Sequence, residues 1–126
     1  MLGTSSGSSK AAGGRDQELI EVHFWTDDNR RVRAIHISGH AGLSSKGSDV
    51  LCAAVSALTY TLRDGIQEIL NKQTRSSQEE GDFFLELKSE GDAGTELIFS
   101  TVLHTLNKLS RQYPDRLQIR RKEDGA

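Results

Sequence analysis

Residues 18–38 read ELIEVHFWTDDNRRVRAIHIS, and this stretch decides the fold class. Ile20, Val22 and Phe24 alternate with Glu21, His23 and Trp25, the period of a strand that buries one face. The cluster Thr26-Asp27-Asp28-Asn29 is built of turn formers, and Val32, Ile35 and Ile37 carry a second strand over residues 31–38. Together they predict an antiparallel hairpin whose turn is longer than a tight two-residue one.

Upstream, residues 1–17 are rich in Gly, Ser and Ala and bury too little to offset their ordering entropy, so they are expected to form a flexible tail. Downstream, residues 40–48 form a Gly- and Ser-rich loop, and Asp49 stands where a helix N-cap is expected. Val50, Leu51, Ala54, Val55, Leu58, Leu62, Ile66, Ile69 and Leu70 then repeat at helical spacing to about Asn71 and make a wide stripe that must face a sheet. Gly65 sits inside this helix at a cost of about 1 kcal/mol relative to Ala. The polar run 72–81 reads as a loop, and Phe83, Leu85 and Leu87 as a third strand. A second helix follows over 95–113, with Ile98, Val102, Leu106, Leu109 and Tyr113 on one face. Pro114 stops it, Leu117 and Ile119 mark a closing strand, and residues 121–126 are expected to fray. The order β-β-α-β-α-β predicts an α+β domain over residues 18–120. Its two helices pack on a small, mostly antiparallel sheet.

Composition narrows the function. At 126 residues there is room for one domain only, and 35% hydrophobic with 27% charged residues is ordinary for a globular protein. A net charge of -2 disfavours a protein that coats nucleic acid, and no direct nucleic-acid binding is expected. Arg30, Arg31 and Arg33 read as a solvated hairpin edge, without the interleaved aromatics of an RNA groove. No apolar run approaches the roughly 18–20 residues that span a bilayer, and no signal-peptide pattern is present, so a cytoplasmic setting without a membrane partner is expected. The single cysteine can form neither an internal disulfide nor a multi-cysteine zinc site. His23 and His36 read as cross-strand neighbours but lack a carboxylate at ligand spacing, and no metal site is expected. The glycine loop lacks the Gly-Lys-Ser/Thr ending of a phosphate-binding loop.

That leaves the thiol. If Asp49 caps the helix, Cys52 is its third residue, where unpaired backbone N–H groups and the helix dipole favour a thiolate. Asp49 fixes the helix start yet opposes a nearby negative charge, so a second stabilising group is required. His40, at the end of the second strand, is the candidate, because the loop between can fold back to bring imidazole and sulfur together. Such a pair would activate the sulfur and protonate a leaving amine, while first-turn amides held the oxyanion. Ser56 lies four residues on, on the same helical face. A lone cysteine in an Ala-rich helix equally fits a small buried hydrophobe, and His23, His36 and His104 show that histidines occur here without evident chemistry.

The string ISGHAGLSSKGSDVLCAAVSAL, residues 37–58, shifts the balance. It resembles the signature of the bacterial ribosomal-processing cysteine protease family, often called Prp. There a G-H-A motif is followed, after a glycine-containing loop, by G-x-D-[IV]-[VL]-C-A-[AG]-x-S-A. Gly39-His40-Ala41, Gly47, Asp49, Cys52-Ala53-Ala54 and Ser56-Ala57 match at family spacing. The likeness extends over residues 18–120, through the FLEL strand at 84–87 and the pattern Leu106, Leu109, Tyr113, Pro114. The resemblance implies a cysteine endopeptidase with Cys52 and His40 as its catalytic pair and Gly39, Asp49 and Ser56 in support. It implies a ribosomal protein precursor as substrate, the large-subunit protein numbered twenty-seven, cut after an aromatic residue in an N-terminal extension. It further implies a homodimer, a loop over 41–48 that orders on substrate, and neither metal nor organic cofactor. The alternative is a ribosome-associated assembly or binding factor of the same fold without proteolysis, against which the retention of both Cys52 and His40 speaks.

Overall fold

A computed structural model of the chain describes residues 19–39 and 46–122, with the backbone alone for 46–49. The expected tail 1–17, His40, the loop residues 41–45 and residues 123–126 lie outside the described residues. The predicted hairpin is formed by β1 (Ile20–Thr26) and β2 (Val32–Ser38), antiparallel, with Phe24 opposite Ile35 and His23 opposite His36. Its turn is held by the Asp27 side chain, whose Oδ1 accepts hydrogen bonds from the amides of Asn29 (2.8 Å) and Arg31 (3.0 Å).

The helix that follows, α1, spans Lys46–Asp64 and so begins three residues before Asp49. Asp49 is therefore not the N-cap, and the expected loop 40–48 gives up residues 46–48 to the helix. A cap has to leave helical backbone angles, whereas the cost of extending a helix through Gly47 and Ser48 is only about 1 kcal/mol at each poor position. At its other end α1 widens into a π turn, Gly65–Ile69, in which the Leu70 amide donates to the Gly65 carbonyl at 2.9 Å. Gly65 is explained by packing. A Cβ there would lie 2.9 Å from Ile98 Cδ1 on the second helix, so the missing side chain leaves room for the end of Ile98. Neighbouring Ile66 is fully buried, which contributes about 1.5–3 kcal/mol and outweighs the propensity cost. The wider turn also rotates the face that follows it. Ile69, expected on the buried stripe, is 75% exposed, and Val50 at the other end of the stripe is 62% exposed.

Residues expected to form a loop instead supply a strand, β3 (Thr74–Glu79), which pairs antiparallel with β4 (Asp82–Leu87). The segment TRSSQE shows no apolar alternation because β3 is the sheet's outermost strand and buries almost nothing. A second helix, α2 (Ala93–Gln112), starts at a capping box. The Asp92 carboxylate accepts the Thr95 amide at 3.0 Å, and Thr95 Oγ1 accepts the Asp92 amide at 2.9 Å. β5 (Leu117–Lys122) then runs parallel to β1, with Arg121 and Lys122 still paired to Phe24 and Trp25, past the boundary expected at residue 120.

The result is a mixed five-stranded sheet in the order β3-β4-β2-β1-β5, with two helices and the element order β-β-α-β-β-α-β. It is the α+β architecture expected, with one edge strand added. Ile20, Val22, Ile35, Ile37, Phe83, Leu85 and Leu117 form a core with Leu51, Val55, Leu62 and Ile66 of the first helical segment and Phe99, Val102 and Leu106 of α2. Among the described residues no helix is long and apolar enough to cross a membrane.

Candidate active-site cleft

On α1, Cys52, Ser56, Thr59, Tyr60 and Arg63 recur at three- and four-residue intervals, so one helix face carries them all. That face forms one wall of a cavity of about 690 Å³. Ile20, Ile37, Val55 and Phe83 supply its apolar floor, and the β3–β4 turn, residues 78–82, forms the opposite wall. Thr59 is buried and turns its hydroxyl back to the Ser56 carbonyl (2.8 Å), which satisfies it within the helix. Cys52 is half-buried and Ser56 exposed, both on the cavity lining. Tyr60 is 51% exposed, and the Arg63 guanidinium lies 5.5 Å from its ring centre while donating to Gln78 Oε1 across the cleft. Arg63 thus ties α1 to β3 at one end of the cavity.

The other end is set by Gly39, which also lines it. Gly39 has φ +102, and a Cβ on it would fall 2.1 Å from the Leu19 carbonyl oxygen. Only glycine can pass between these backbones. Its amide donates to the Gly81 carbonyl at 2.9 Å and joins the end of β2 to the β3–β4 turn. The same turn is held from the open face of the sheet, where His36 Nε2 sits 2.8 Å from Asp82 Oδ1. His23 beside it pairs with Glu21 at 3.2 Å. Burial first, then the charge of Lys122, hold its pKa below the ordinary value despite that carboxylate. Among the described residues no three His, Cys, Asp or Glu side chains stand where they could share a metal ion.

Of the expected site residues, the fold brings Cys52, Ser56 and Gly39 to one cavity. Asp49 lies in α1 one turn before Cys52, and His40 falls outside the described residues. One expectation is corrected. α1 begins at Lys46, so Cys52 lies six residues beyond the helix start rather than third in the helix. The sequence reading missed the wall formed by residues 78–82 together with Tyr60 and Arg63. A signal for the wall existed in Gly81, which separates a polar run from the alternating Phe83, Leu85 and Leu87, as a hairpin turn does.

The chain as a whole has counterparts among known proteins. The family model for the cysteine protease Prp matches residues 19–118. The ribosomal processing cysteine proteases Prp of two Staphylococcus aureus strains are each 22% identical to this chain over 103 residues, covering 80% of it and 97% of their own length. The crystal structure of a ribosomal processing protease Prp from S. aureus, in complex with a substrate peptide, superposes with a TM-score of 0.75 at 21% identity. It covers 82% of this chain and all of the other. A Streptococcus mutans protein shares the fold with the same TM-score at 20% identity, over 84% of this chain and 99% of its own. The matched span runs from the residue before β1 into β5, across every element that builds the cleft, and the chain belongs to the cysteine protease Prp family, a family of thiol peptidases.

Proposed function

We propose that this chain removes the N-terminal extension of a large-subunit ribosomal protein, the one numbered twenty-seven, with Cys52 as nucleophile and His40 as its proton-transfer partner. The observation that carries the reading is that Cys52 and Gly39, the residue before His40, line one cavity although thirteen positions apart. In this reading the Cys52 sulfur, its proton taken by the His40 imidazole, attacks the scissile carbonyl. The tetrahedral adduct collapses as the imidazolium protonates the leaving amine. Water, deprotonated by the same imidazole, then cleaves the thioester and regenerates the thiol. Ser56, which lines the same cavity one turn after Cys52, hydrogen-bonds substrate or adduct in this reading. Asp49 orients the catalytic pair, and Gly39 sets the direction in which the chain leaves β2 toward His40. We take the protein to act in the cytoplasm as a homodimer, in keeping with the family resemblance.

The test mixes the parent protein and its Cys52→Ala variant with a peptide carrying the extended ribosomal-protein N-terminus and reads the products by mass spectrometry. Cleavage after the aromatic residue by the parent alone supports the reading. Binding without cleavage would favour the non-proteolytic ribosome-associated factor, and cleavage by the variant would exclude Cys52 as nucleophile.

A further inference from the structure

Resting on the proposed protease reading, we infer that the outer edge of β3 is the track on which an extended peptide substrate adds as a sixth strand, leading its scissile bond into the Cys52 cavity. β3 ends the sheet order and pairs with β4 alone among the described strands. The Lys88 amide donates to the Gln73 carbonyl at 3.0 Å, which sets the phase of the β3–β4 ladder. In an antiparallel pair the inward bonds alternate, so residues 73, 75, 77 and 79 bond to β4, and the backbone groups of Thr74, Ser76 and Gln78 point away from the sheet. Of the strand's residues only Thr74 is even partly covered.

The edge is also held in place before any ligand arrives. Gln67 Nε2, from the π turn, donates to Thr74 Oγ1 (2.8 Å) and Ser76 Oγ (3.2 Å), and Arg63 donates to Gln78 Oε1. Each residue with an outward backbone is thus anchored to the first helical segment by its side chain. The strand runs directly into the cleft, since Gln78 and Glu79 line the cavity that holds Cys52. Polar side chains and this tethering suit an edge that must stay available to a peptide without recruiting other sheets. A peptidase has to grip main chain whatever the side chains, and strand addition supplies that grip.

The test uses the ribosomal-protein peptide synthesised with a single backbone N-methyl group at successive positions. Its cleavage by the parent is measured, together with its binding to Cys52→Ala by fluorescence anisotropy. Strand addition predicts an alternating profile, with kcat/KM and affinity falling about tenfold at every second position and little between. Ser76→Pro, which removes an outward N–H and leaves the inward ladder intact, should weaken the unmethylated peptide by about the same factor. A flat profile with cleavage intact overturns the edge reading and leaves the protease reading standing. An alternating profile in binding, without cleavage by the parent, sinks the protease reading and keeps the edge. Absence of binding at millimolar peptide overturns the edge reading outright.

Discussion

Replacing Gly39 with Ala tests whether the end of β2 is held as tightly as its contacts imply. The residue adopts φ +102, outside the region that side-chain-bearing residues populate, and that strain alone is about 1–3 kcal/mol. The new Cβ would stand 2.1 Å from the Leu19 carbonyl oxygen, a backbone atom that no rotamer change can move aside. Relief therefore requires the end of β2 to pull away from Leu19, which distorts the 2.9 Å hydrogen bond to Gly81 on its other side, worth about 1 kcal/mol. The expected loss is about 2–4 kcal/mol, which at a urea m-value of about 1.5 kcal/mol/M lowers the midpoint by roughly 1–3 M. Gly94→Ala is the control. Its Cβ would meet the movable end of Leu70 at 3.3 Å and Asp92 Oδ1 at 3.4 Å, the latter an ordinary contact, and stability should stay within about 1 kcal/mol of the parent. Peptide cleavage by Gly39→Ala should fall further than the unfolded fraction explains, because the displaced backbone leads directly to His40. A midpoint shift equivalent to less than about 1 kcal/mol, with unchanged cleavage, would refute the reasoning.

Three further outcomes are expected. Cys52→Ala should abolish peptide cleavage with little change in the thermal melt, since it removes one half-buried sulfur; a loss above about 3 kcal/mol would mean that the thiol is chiefly packing. Asp92 is held below its ordinary carboxylate pKa, first by the Lys72 ammonium at 2.6 Å and then by the Thr95 amide. A depressed carboxylate contributes stability that is full above its unfolded pKa and lost as pH falls through the lower folded value. Asp92→Asn should accordingly flatten the acid side of the melting-temperature profile, and an unchanged acid slope would contradict the assignment. Thr95→Val keeps the shape of a fully buried residue but leaves the Asp92 amide without its 2.9 Å acceptor. Denaturant titration should show a loss of about 1–2 kcal/mol, and a neutral result would mean that another acceptor serves that amide.

Much of this protein was legible in the sequence because its signals are local. The alternation Ile20-Val22-Phe24 against Val32-Ile35-Ile37 depends only on each strand burying one face, so hairpin, pairing sense and even the His23–His36 register follow from the linear pattern. The family likewise rests on short-range spacing, Gly39-His40-Ala41 and then Asp49 to Ala57, and needs no coordinates.

Other features are set by neighbours distant along the chain. β3 lacks apolar alternation because an edge strand carries its hydrogen bonds on one side and need not bury side chains, so Gly81 was its one local signal and pairing with β4 reveals it. Gly65 looked like a defect in a helix until Ile98, thirty-three residues away, was found against it. Asp49 has the chemistry of a cap, but the helix extends through Gly47 and Ser48 to Lys46, an extension that costs only about 1 kcal/mol at each poor position. The cleft itself is decided in the same way. Sequence alone determined which thiol sits on which helix face. Only the tertiary structure set Gln78 and Gly81 opposite it, because the far wall belongs to another element, shares no periodicity with the helix, and meets it only when the sheet closes against the helix.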